Sequence, residues 1–193
     1  MSGAALTLTG LACRRGGRLL FEDLDLTLGP GEATLVTGAN GAGKSSLLRI
    51  IAGLLPPTAG TVSAQGTVGW LGEAAALDAK LTLKNALGFW ARIDGRDESA
   101  VATALDRMAI GALAEVPVRM LSTGQRRRAA IARVLASGAD LWLLDEPGSG
   151  LDDAALAALG QTIAEHRAEG GIVVAATHQP LAIEPTITLA LGR

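Results

Sequence analysis

The sequence predicts an α/β fold built on a mostly parallel β-sheet, and two observations favour it. Short apolar segments alternate with helical patterns in the last third of the chain, which is typical of strand–helix–strand units. A glycine-rich loop also joins an apolar run at residues 33–37 to an amphipathic helix that begins at Lys44. At 193 residues, the chain is long enough to form one domain with its own core.

Periodicity and turn residues place the individual elements. Alternating apolar and polar residues predict half-exposed strands at residues 6–9 and 24–28, which would form a small antiparallel β-subdomain. Apolar runs predict further strands at residues 33–37, 141–144, 172–176 and 186–191. Helical spacing predicts helices at residues 44–54, 122–137 and 153–169. The segment between residues 57 and 70 is compact, so the antiparallel subdomain should be small.

The middle of the chain, residues 80–137, is predicted to be helical and to be inserted between strands of the core. Thr82 can cap one helix, and Asp97 or Glu98 can begin a second. The sequence therefore predicts a single domain over residues 1–193. Its core would lie at roughly 1–72 and 138–193, and its inserted helical subdomain at roughly 73–137.

Composition excludes several classes of protein. Hydrophobic residues make up 49% of the chain and its mean hydropathy is +0.34. No apolar run, however, approaches the roughly 20 residues of a membrane-spanning helix. The net charge of −2 differs from the basic footprint of nucleic-acid binders, so no nucleic-acid partner is predicted. The single cysteine, Cys13, excludes an internal disulfide, and the N-terminus lacks a signal-peptide pattern.

The glycine-rich segment is a predicted phosphate-binding loop. It follows the pattern G-x-x-x-x-G-K-[ST] and consists of Gly38, Ala39, Asn40, Gly41, Ala42, Gly43, Lys44 and Ser45. The backbone N–H groups of such a loop surround phosphate oxygens, and the N-terminus of the next helix adds partial positive charge. We expect Lys44 to reach the β- and γ-phosphates, Ser45 to ligate Mg²⁺ and Ser46 to contribute to nucleotide binding.

Two carboxylates follow the apolar strand at residues 141–144. Asp145 and Glu146 would lie at the carboxyl end of a buried strand, where open α/β sheets bind ligands. We expect Asp145 to hold Mg²⁺ through water, and Glu146 to orient or deprotonate an attacking water. An apolar strand that ends in Asp-Glu is common by itself. The phosphate loop upstream makes it informative, because the two motifs complete one site.

A third motif carries a resemblance to a known family. Ser122 and Gln125 have the spacing of a capping box, so a helix should begin there. Its first N–H groups could bind an anion, or it could be only a capped helix with arginines 126–128 on a solvated face. The run that contains this capping box is Leu121, Ser122, Thr123, Gly124 and Gln125. It resembles the LSGGQ signature of ABC-type ATPases, with Thr123 in place of a glycine, and it lies upstream of the Asp-Glu pair as in that family.

Further motifs come in the order of the same family. Asp152 lies in a segment that resembles its D-loop, and His178 follows an apolar strand like its switch histidine. Two positions depart from the family pattern. Glu73 stands where the Q-loop glutamine is expected, and a carboxylate there could still bind Mg²⁺ or its water. Arg15 stands near the position where the family has an aromatic residue that stacks on adenine, and this chain has no tyrosine. A guanidinium can also stack on a ring.

The resemblance implies a P-loop NTPase fold of the ABC nucleotide-binding type and an ATPase with ATP and Mg²⁺ as cofactors. Two nucleotide-binding subunits, expected to be a homodimer, would pair head to tail around each ATP. Lys44, Glu146 and His178 would be catalytic, and Asp152 would join the two sites. The signature residues acting in trans would be Ser122, Thr123, Gly124 and Gln125.

A closer resemblance is to the ATP-binding subunits of cytochrome c biogenesis haem exporters. It rests on residues 11–15, 20–21, 70–72, 81–85, 170–174 and 177–181. It implies a peripheral ATPase that binds integral membrane permease subunits at the cytoplasmic face of the bacterial inner membrane. Those exporter subunits would have histidine where this chain has Glu73. Haem transport and ATP-driven release of haem from a chaperone both remain open.

Other functions also remain open from the sequence. An ABC subunit of a different exporter would differ only in its membrane partner. A soluble ABC protein acting on ribosomes or DNA would usually bring a second nucleotide domain, a coiled coil or a basic tail. A nucleoside kinase would transfer the phosphoryl group to a small acceptor. Two residues receive no functional role: His166, predicted to be solvated, and Cys13, which has no histidine pattern beside it.

Overall fold

The structure is a computed structural model that describes residues 3–178, 181 and 183–192. The predicted resemblance at Gln179 and Pro180 lies outside the described residues. The strands are β1 (Ala5–Arg15), β2 (Arg18–Leu28), β3 (Ala33–Thr37), β4 (Ala59–Gln65), β5 (Val68–Leu71), β6 (Leu141–Asp145), β7 (Ile172–Ala176) and β8 (Ile187–Ala190). The α-helices are α1 (Lys44–Ile51), α2 (Leu83–Ile93), α3 (Glu98–Arg107), α4 (Thr123–Ser137) and α5 (Asp153–Ala168). None of these helices is long and apolar enough to span a membrane.

The core is a five-stranded parallel sheet with the order β5-β6-β7-β3-β8. Strands β6 and β7 are buried along their whole length, which explains their continuous apolar sequences. Parallel strands share one carboxyl edge, so the loops after β3, β6 and β7 meet there. The predicted α/β fold with a parallel core sheet is confirmed, and this edge positions the candidate site.

A separate antiparallel sheet has the order β2-β1-β4. Strands β1 and β2 form a hairpin in which Leu6 pairs with Leu28, so the alternating segments of the sequence do form antiparallel strands. Strand β4 was not predicted from the sequence. Its residues are exposed or half-buried and mostly small, and its strand conformation depends on pairing with β1, as between Leu8 and Val62.

Helix α1 is shorter than predicted. The predicted end was near Leu54, before the two prolines, whereas the helix ends at Ile51. Gly53 has a φ of 71°, in the left-handed region, and it turns the chain so that the Leu54 N–H donates to the Arg49 carbonyl. A left-handed glycine after the last helical turn is a common helix terminator, so Gly53 stops α1 before the prolines do.

Helices α2, α3 and α4 begin where the capping residues predicted. The Thr82 hydroxyl accepts from the Asn85 N–H, and the Asp97 carboxylate accepts from two N–H groups in the first turn of α3. The three helices share buried apolar residues, among them Leu87 and Leu105. The division of the chain into a core and an inserted helical subdomain at roughly 73–137 stays a prediction.

The solvated position predicted for His166 is wrong. Its imidazole stacks on the Trp142 indole with a centroid distance of 3.8 Å and an interplanar angle of 7°, and its Nε2 atom is buried. A Cβ on Gly171 would lie 2.2 Å from the imidazole, so the glycine makes room for the ring. The polar neighbours of His166 on α5 gave a misleading signal, because the aromatic partner comes from β6.

Acidification is expected to destabilise the fold through His166. Burial lowers the pKa of His166, while backbone contacts with Ile172 and Asp140 and the charges of Glu169 and Asp140 oppose that shift. The unfolded chain then binds the proton more readily, so the free energy of unfolding should fall as the pH drops below 6.5. Denaturant unfolding between about pH 5 and 7 should show a shallower pH dependence in His166→Gln than in the parent chain. Equal slopes would contradict this expectation.

Candidate nucleotide-binding site

The predicted phosphate loop lies between β3 and α1. Three of its glycines adopt positive φ angles: 142° for Gly38, 78° for Gly41 and 107° for Gly43. A Cβ on Gly43 would approach Leu20 and Phe21 of β2 to 3.1 Å, so the loop also passes close to the antiparallel sheet. Gly43 is the N-cap of α1 and provides no side-chain cap. The first N–H groups of α1 can therefore bind an anion.

Lys44 is held against the same loop. Its side chain is buried, and Nζ donates to the carbonyl oxygens of Gly38, at 2.8 Å, and Ala39, at 3.3 Å. These contacts compensate the burial of an ammonium group. Asn40 and Ala42 complete the loop, and Ser46 lies in the first turn of α1.

Ser45 and Asp145 meet at the carboxyl edge of the sheet. Burial raises the pKa of the Asp145 carboxyl, whereas a hydrogen bond with the Ser45 side chain and the charges of Arg49 and Arg127 lower it. A hydroxyl beside a carboxylate supplies the oxygen ligands that Mg²⁺ prefers, together with water and phosphate oxygens. Within the described residues, no group of three or more His, Cys, Asp or Glu side chains could hold a metal by itself. The pair therefore fits a magnesium ion that is shared with a nucleotide.

Glu146 adopts an uncommon backbone conformation. Its φ is 47°, and its N–H donates to the Ala176 carbonyl at 2.8 Å, which ties it to the end of β7. The Ser149 N–H donates to the Glu146 carbonyl at 3.0 Å. A non-glycine residue with positive φ persists only where its surroundings hold it, and such residues cluster at functional sites. The turn after β6 therefore fixes the direction of the Glu146 carboxylate.

Glu146 and His178 lie together, as residues that follow neighbouring strands should. The Glu146 Oε2 atom is 2.9 Å from His178 Nδ1, and it also accepts from the His178 backbone N–H at 3.3 Å. Two residues that the sequence predicts to be catalytic thus form one hydrogen-bonded pair. The His178 side chain remains more than half exposed, so a ligand can reach this pair from solvent.

A groove of about 670 Å³ contains Glu146 and several of the other predicted residues. It is lined by Ser45, Glu73, Asp145, Glu146, Ser149, Thr123 and Arg127, among others. Glu73, which departs from the family pattern, therefore faces the same space as the predicted magnesium ligands. Arg15 does not line this groove. It lies exposed at the end of β1, in the hairpin whose second strand packs on Gly43.

The signature segment forms the N-terminus of α4. The Ser122 hydroxyl accepts from the Gln125 N–H at 3.2 Å, and Gln125 Oε1 accepts from the Ser122 N–H at 2.9 Å, which is a complete capping box. Ser122 and Thr123 are exposed. A Cβ on Gly124 would lie 3.1 Å from the Gly150 carbonyl oxygen, so the signature segment packs against the predicted D-loop.

Asp152 connects the predicted D-loop to the signature helix within one chain. Its Oδ1 atom caps α5 by accepting from the Ala155 N–H at 2.9 Å, and its Oδ2 atom is 2.5 Å from the Arg128 guanidinium. The predicted contact of Asp152 with a second subunit stays a prediction. This carboxylate is already engaged at both oxygens, so it would help to orient the D-loop rather than remain mobile.

Two functional candidates on α4 were not identified from the sequence, where a solvated arginine face was one of the interpretations of this helix. Arg128 makes the ion pair with Asp152, and the half-buried Arg127 donates to three backbone carbonyls near the Asp-Glu pair. One signal could have revealed them. Arginine near a helix N-terminus is unfavourable with the helix dipole, so consecutive arginines there suggest specific partners.

One parallel-sheet domain carries a phosphate loop, a pair of carboxylates at the end of a strand and a capped signature helix. Together these features define an ATP-binding protein of the ABC class. The profile of the ABC transporter family matches residues 21–149. An export protein of Sphingopyxis alaskensis is 57% identical over 187 residues, covering 97% of this chain and 96% of the relative. A relative in Novosphingobium aromaticivorans is 52% identical, and the match covers 99% of this chain and 97% of the relative. Both are cytochrome c biogenesis ATP-binding export proteins, called CcmA, and this chain belongs to that family of ABC ATPases.

Solved structures agree on the fold. The ATP-binding subunit of an ABC transporter superposes with a TM-score of 0.82 at 25% identity, covering 90% of this chain and 79% of that chain. The fold class implied by the motif order is therefore confirmed.

Proposed function

We propose that this ABC ATPase supplies energy to a membrane-bound export complex for cytochrome c biogenesis, and that Glu146 is its catalytic base. The observation that carries the proposal is the Glu146–His178 pair beside Ser45 and Asp145 at the edge of the sheet. Ser45 at the end of the phosphate loop, its magnesium-binding partner Asp145 and the water-activating Glu146 then line one groove. This is the arrangement that hydrolysis of a nucleoside triphosphate requires.

The residues divide the chemistry between them. The loop N–H groups and Lys44 bind the β- and γ-phosphates, and Ser45 and Asp145 hold Mg²⁺, which neutralises negative charge on the phosphates. Glu146 accepts the proton of the attacking water, and His178 keeps the carboxylate in place and contacts the γ-phosphate. We further propose that Glu73 binds the magnesium ion or its water, and that Arg15 stacks on adenine.

We also propose that the site is completed by a second copy of the chain. The exposed Ser122, with Thr123, Gly124 and Gln125, would contact the γ-phosphate of the partner's ATP through the N-terminus of α4. A head-to-tail homodimer satisfies this for both sites at once. Asp152 would lie near the dimer axis. The helical subdomain at roughly 73–137 would move relative to the core when the dimer closes.

The CcmA relatives support the choice of partner and cargo. Their names place them in export during cytochrome c biogenesis. By analogy, we propose integral membrane permease subunits as partners, a peripheral position at the cytoplasmic face of the bacterial inner membrane, and haem as the group that the complex handles. The net charge of −2 supports the absence of a nucleic-acid partner.

A pull-down from detergent-solubilised bacterial membranes tests this proposal. The tagged chain should capture small integral membrane proteins, and the purified complex should hydrolyse ATP and show haem absorbance. The tag alone is the control. Two results would contradict the proposal. One is capture of integral subunits of an unrelated exporter without haem absorbance. The other is steeply salt-dependent binding to RNA or DNA without membrane proteins, which would favour a non-transport ABC protein.

A further inference from the structure

The guanidinium of Arg127, which lines the groove, binds the backbone at three points. Its Nη1 atom donates to the Gly72 carbonyl at 2.9 Å, and Nη2 donates to the carbonyls of Asp145, at 2.5 Å, and Glu146, at 2.6 Å. These carbonyls belong to segments 73 residues apart in the chain, one ahead of Glu73 and one at the end of β6. One side chain of the signature helix therefore joins both segments.

Among the described residues, no carboxylate forms a direct ion pair with Arg127. Burial lowers its pKa, and the nearby charges of Asp145 and Glu146 raise it. A half-buried guanidinium needs several acceptors. The three carbonyls accept from Nη1 and Nη2, while no described residue accepts from the buried Nε atom of Arg127. Its planar fork reaches separate acceptors at fixed angles, which a lysine ammonium does not do.

The segment that carries Glu73, residues 70–76, also contacts helices α2 and α4 at its two ends. Arg133 of α4 donates to the Trp70 carbonyl and lies 5.2 Å from the ring centroid of Trp90 on α2. The Trp90 indole N–H donates in turn to the Ala76 carbonyl at 2.7 Å. Residues 70–76 are thus fixed to α2 and α4, so a displacement of these helices would displace Glu73 with them.

We propose that Arg127 is a positioning residue for ATP hydrolysis, which fixes the backbone of Glu146 and couples it to the segment that carries Glu73. The inference rests on the proposed role of Glu146 as the base. With a φ of 47°, Glu146 depends on its surroundings to keep its conformation. Without Arg127, the Glu146 carbonyl keeps the Ser149 N–H donor but loses the guanidinium donor. The Glu146 carboxylate can then turn away from His178.

Arg127→Gln tests the proposal, with Arg92→Gln as the matched control. Arg92 is an exposed arginine in the last turn of α2, and it does not line the groove. We expect Arg127→Gln to lower kcat about 10- to 100-fold, because small displacements of a catalytic group are costly. The Kd for ATP should change less than about threefold, since the phosphate loop is untouched. Arg92→Gln should match the parent chain in both.

A purely structural role for Arg127 makes different predictions. Loss of such a role would reduce the fraction of folded protein but leave kcat per ATP-binding site unchanged. To distinguish the two cases, kcat is normalised to the amount of bound nucleotide. Arg127→Lys, which retains the charge but not the fork, should have an intermediate kcat. An Arg127→Gln kcat within about twofold of the parent value on this scale would overturn the proposal. If Arg127→Gln does not fold, an Arg127→Lys kcat equal to the parent value would overturn it.

A double variant separates this inference from the proposed function. In a Glu146→Gln background, Arg127→Gln should lower the residual rate no further, because both changes act through one carboxylate. A further loss equal to that of the single variant would overturn the inference. Parent-like hydrolysis by Glu146→Gln alone would refute the role of Glu146 instead.

Discussion

Replacing Glu146 by glutamine is expected to lower kcat for ATP hydrolysis about 10²–10⁴-fold, the usual contribution of a general base. Glutamine has nearly the same shape and can still accept from the His178 N–H, but it cannot take a proton from water. ATP binding should persist, because Lys44, Ser45 and the loop N–H groups are unchanged.

Steady-state phosphate release and equilibrium binding of a fluorescent ATP analogue measure the two effects separately. Glu115→Gln is a suitable control, since Glu115 is exposed and does not line the groove. A Glu146→Gln variant that hydrolyses ATP at the parent rate would show that another group activates the water.

Replacing Leu143 by alanine is expected to lower the free energy of unfolding by about 2–5 kcal/mol. Leu143 is fully buried in β6, between β5 and β7, and its side chain packs in the cluster that also contains Leu47 and Val174. Removal of three side-chain carbons there leaves a cavity that the sheet cannot close without moving a strand.

Denaturant unfolding of Leu54→Ala supplies the comparison. Leu54 is 65% exposed, so the same substitution should change the free energy of unfolding by no more than about 0.5 kcal/mol. Because β6 ends in Asp145, loss of Leu143 should also weaken nucleotide binding as the temperature rises. Equal destabilisation by the two alanine variants would contradict the position of β6 in the core.

Elements with a strong local signal could be predicted from the sequence. The strand at 33–37 and the strand at 172–176 are observed as β3 (Ala33–Thr37) and β7 (Ile172–Ala176). Apolar runs bounded by glycine or polar residues define such strands. The capping residues of α2, α3 and α4 could also be predicted, because a cap acts within four residues of the helix start. Strand β4 had no such signal, since pairing with β1 determines its conformation.

The site was predictable to the extent that it depends on motifs and sheet order. The phosphate loop is contiguous, and the contact between Glu146 and His178 follows from their positions after two neighbouring parallel strands. The environments of Arg127 and His166 depend on packing between distant segments. Arg127 reaches Gly72 across 55 residues, and His166 stacks on Trp142 of another element. Local composition and spacing can suggest that such a residue has a specific partner, but they do not identify which distant residue that partner is.

Complementation between two inactive variants shows whether each ATP site is shared head to tail between two subunits. Lys44→Ala removes the proposed phosphate contact. Thr123→Glu places a carboxylate at the exposed first turn of α4, where the helix tolerates it but a bound phosphate would be repelled. Each variant should be inactive alone. A mixed dimer retains one intact site, so an equimolar mixture should recover up to about a quarter of the parent rate of ATP hydrolysis. A mixture as inactive as its components would contradict the shared site.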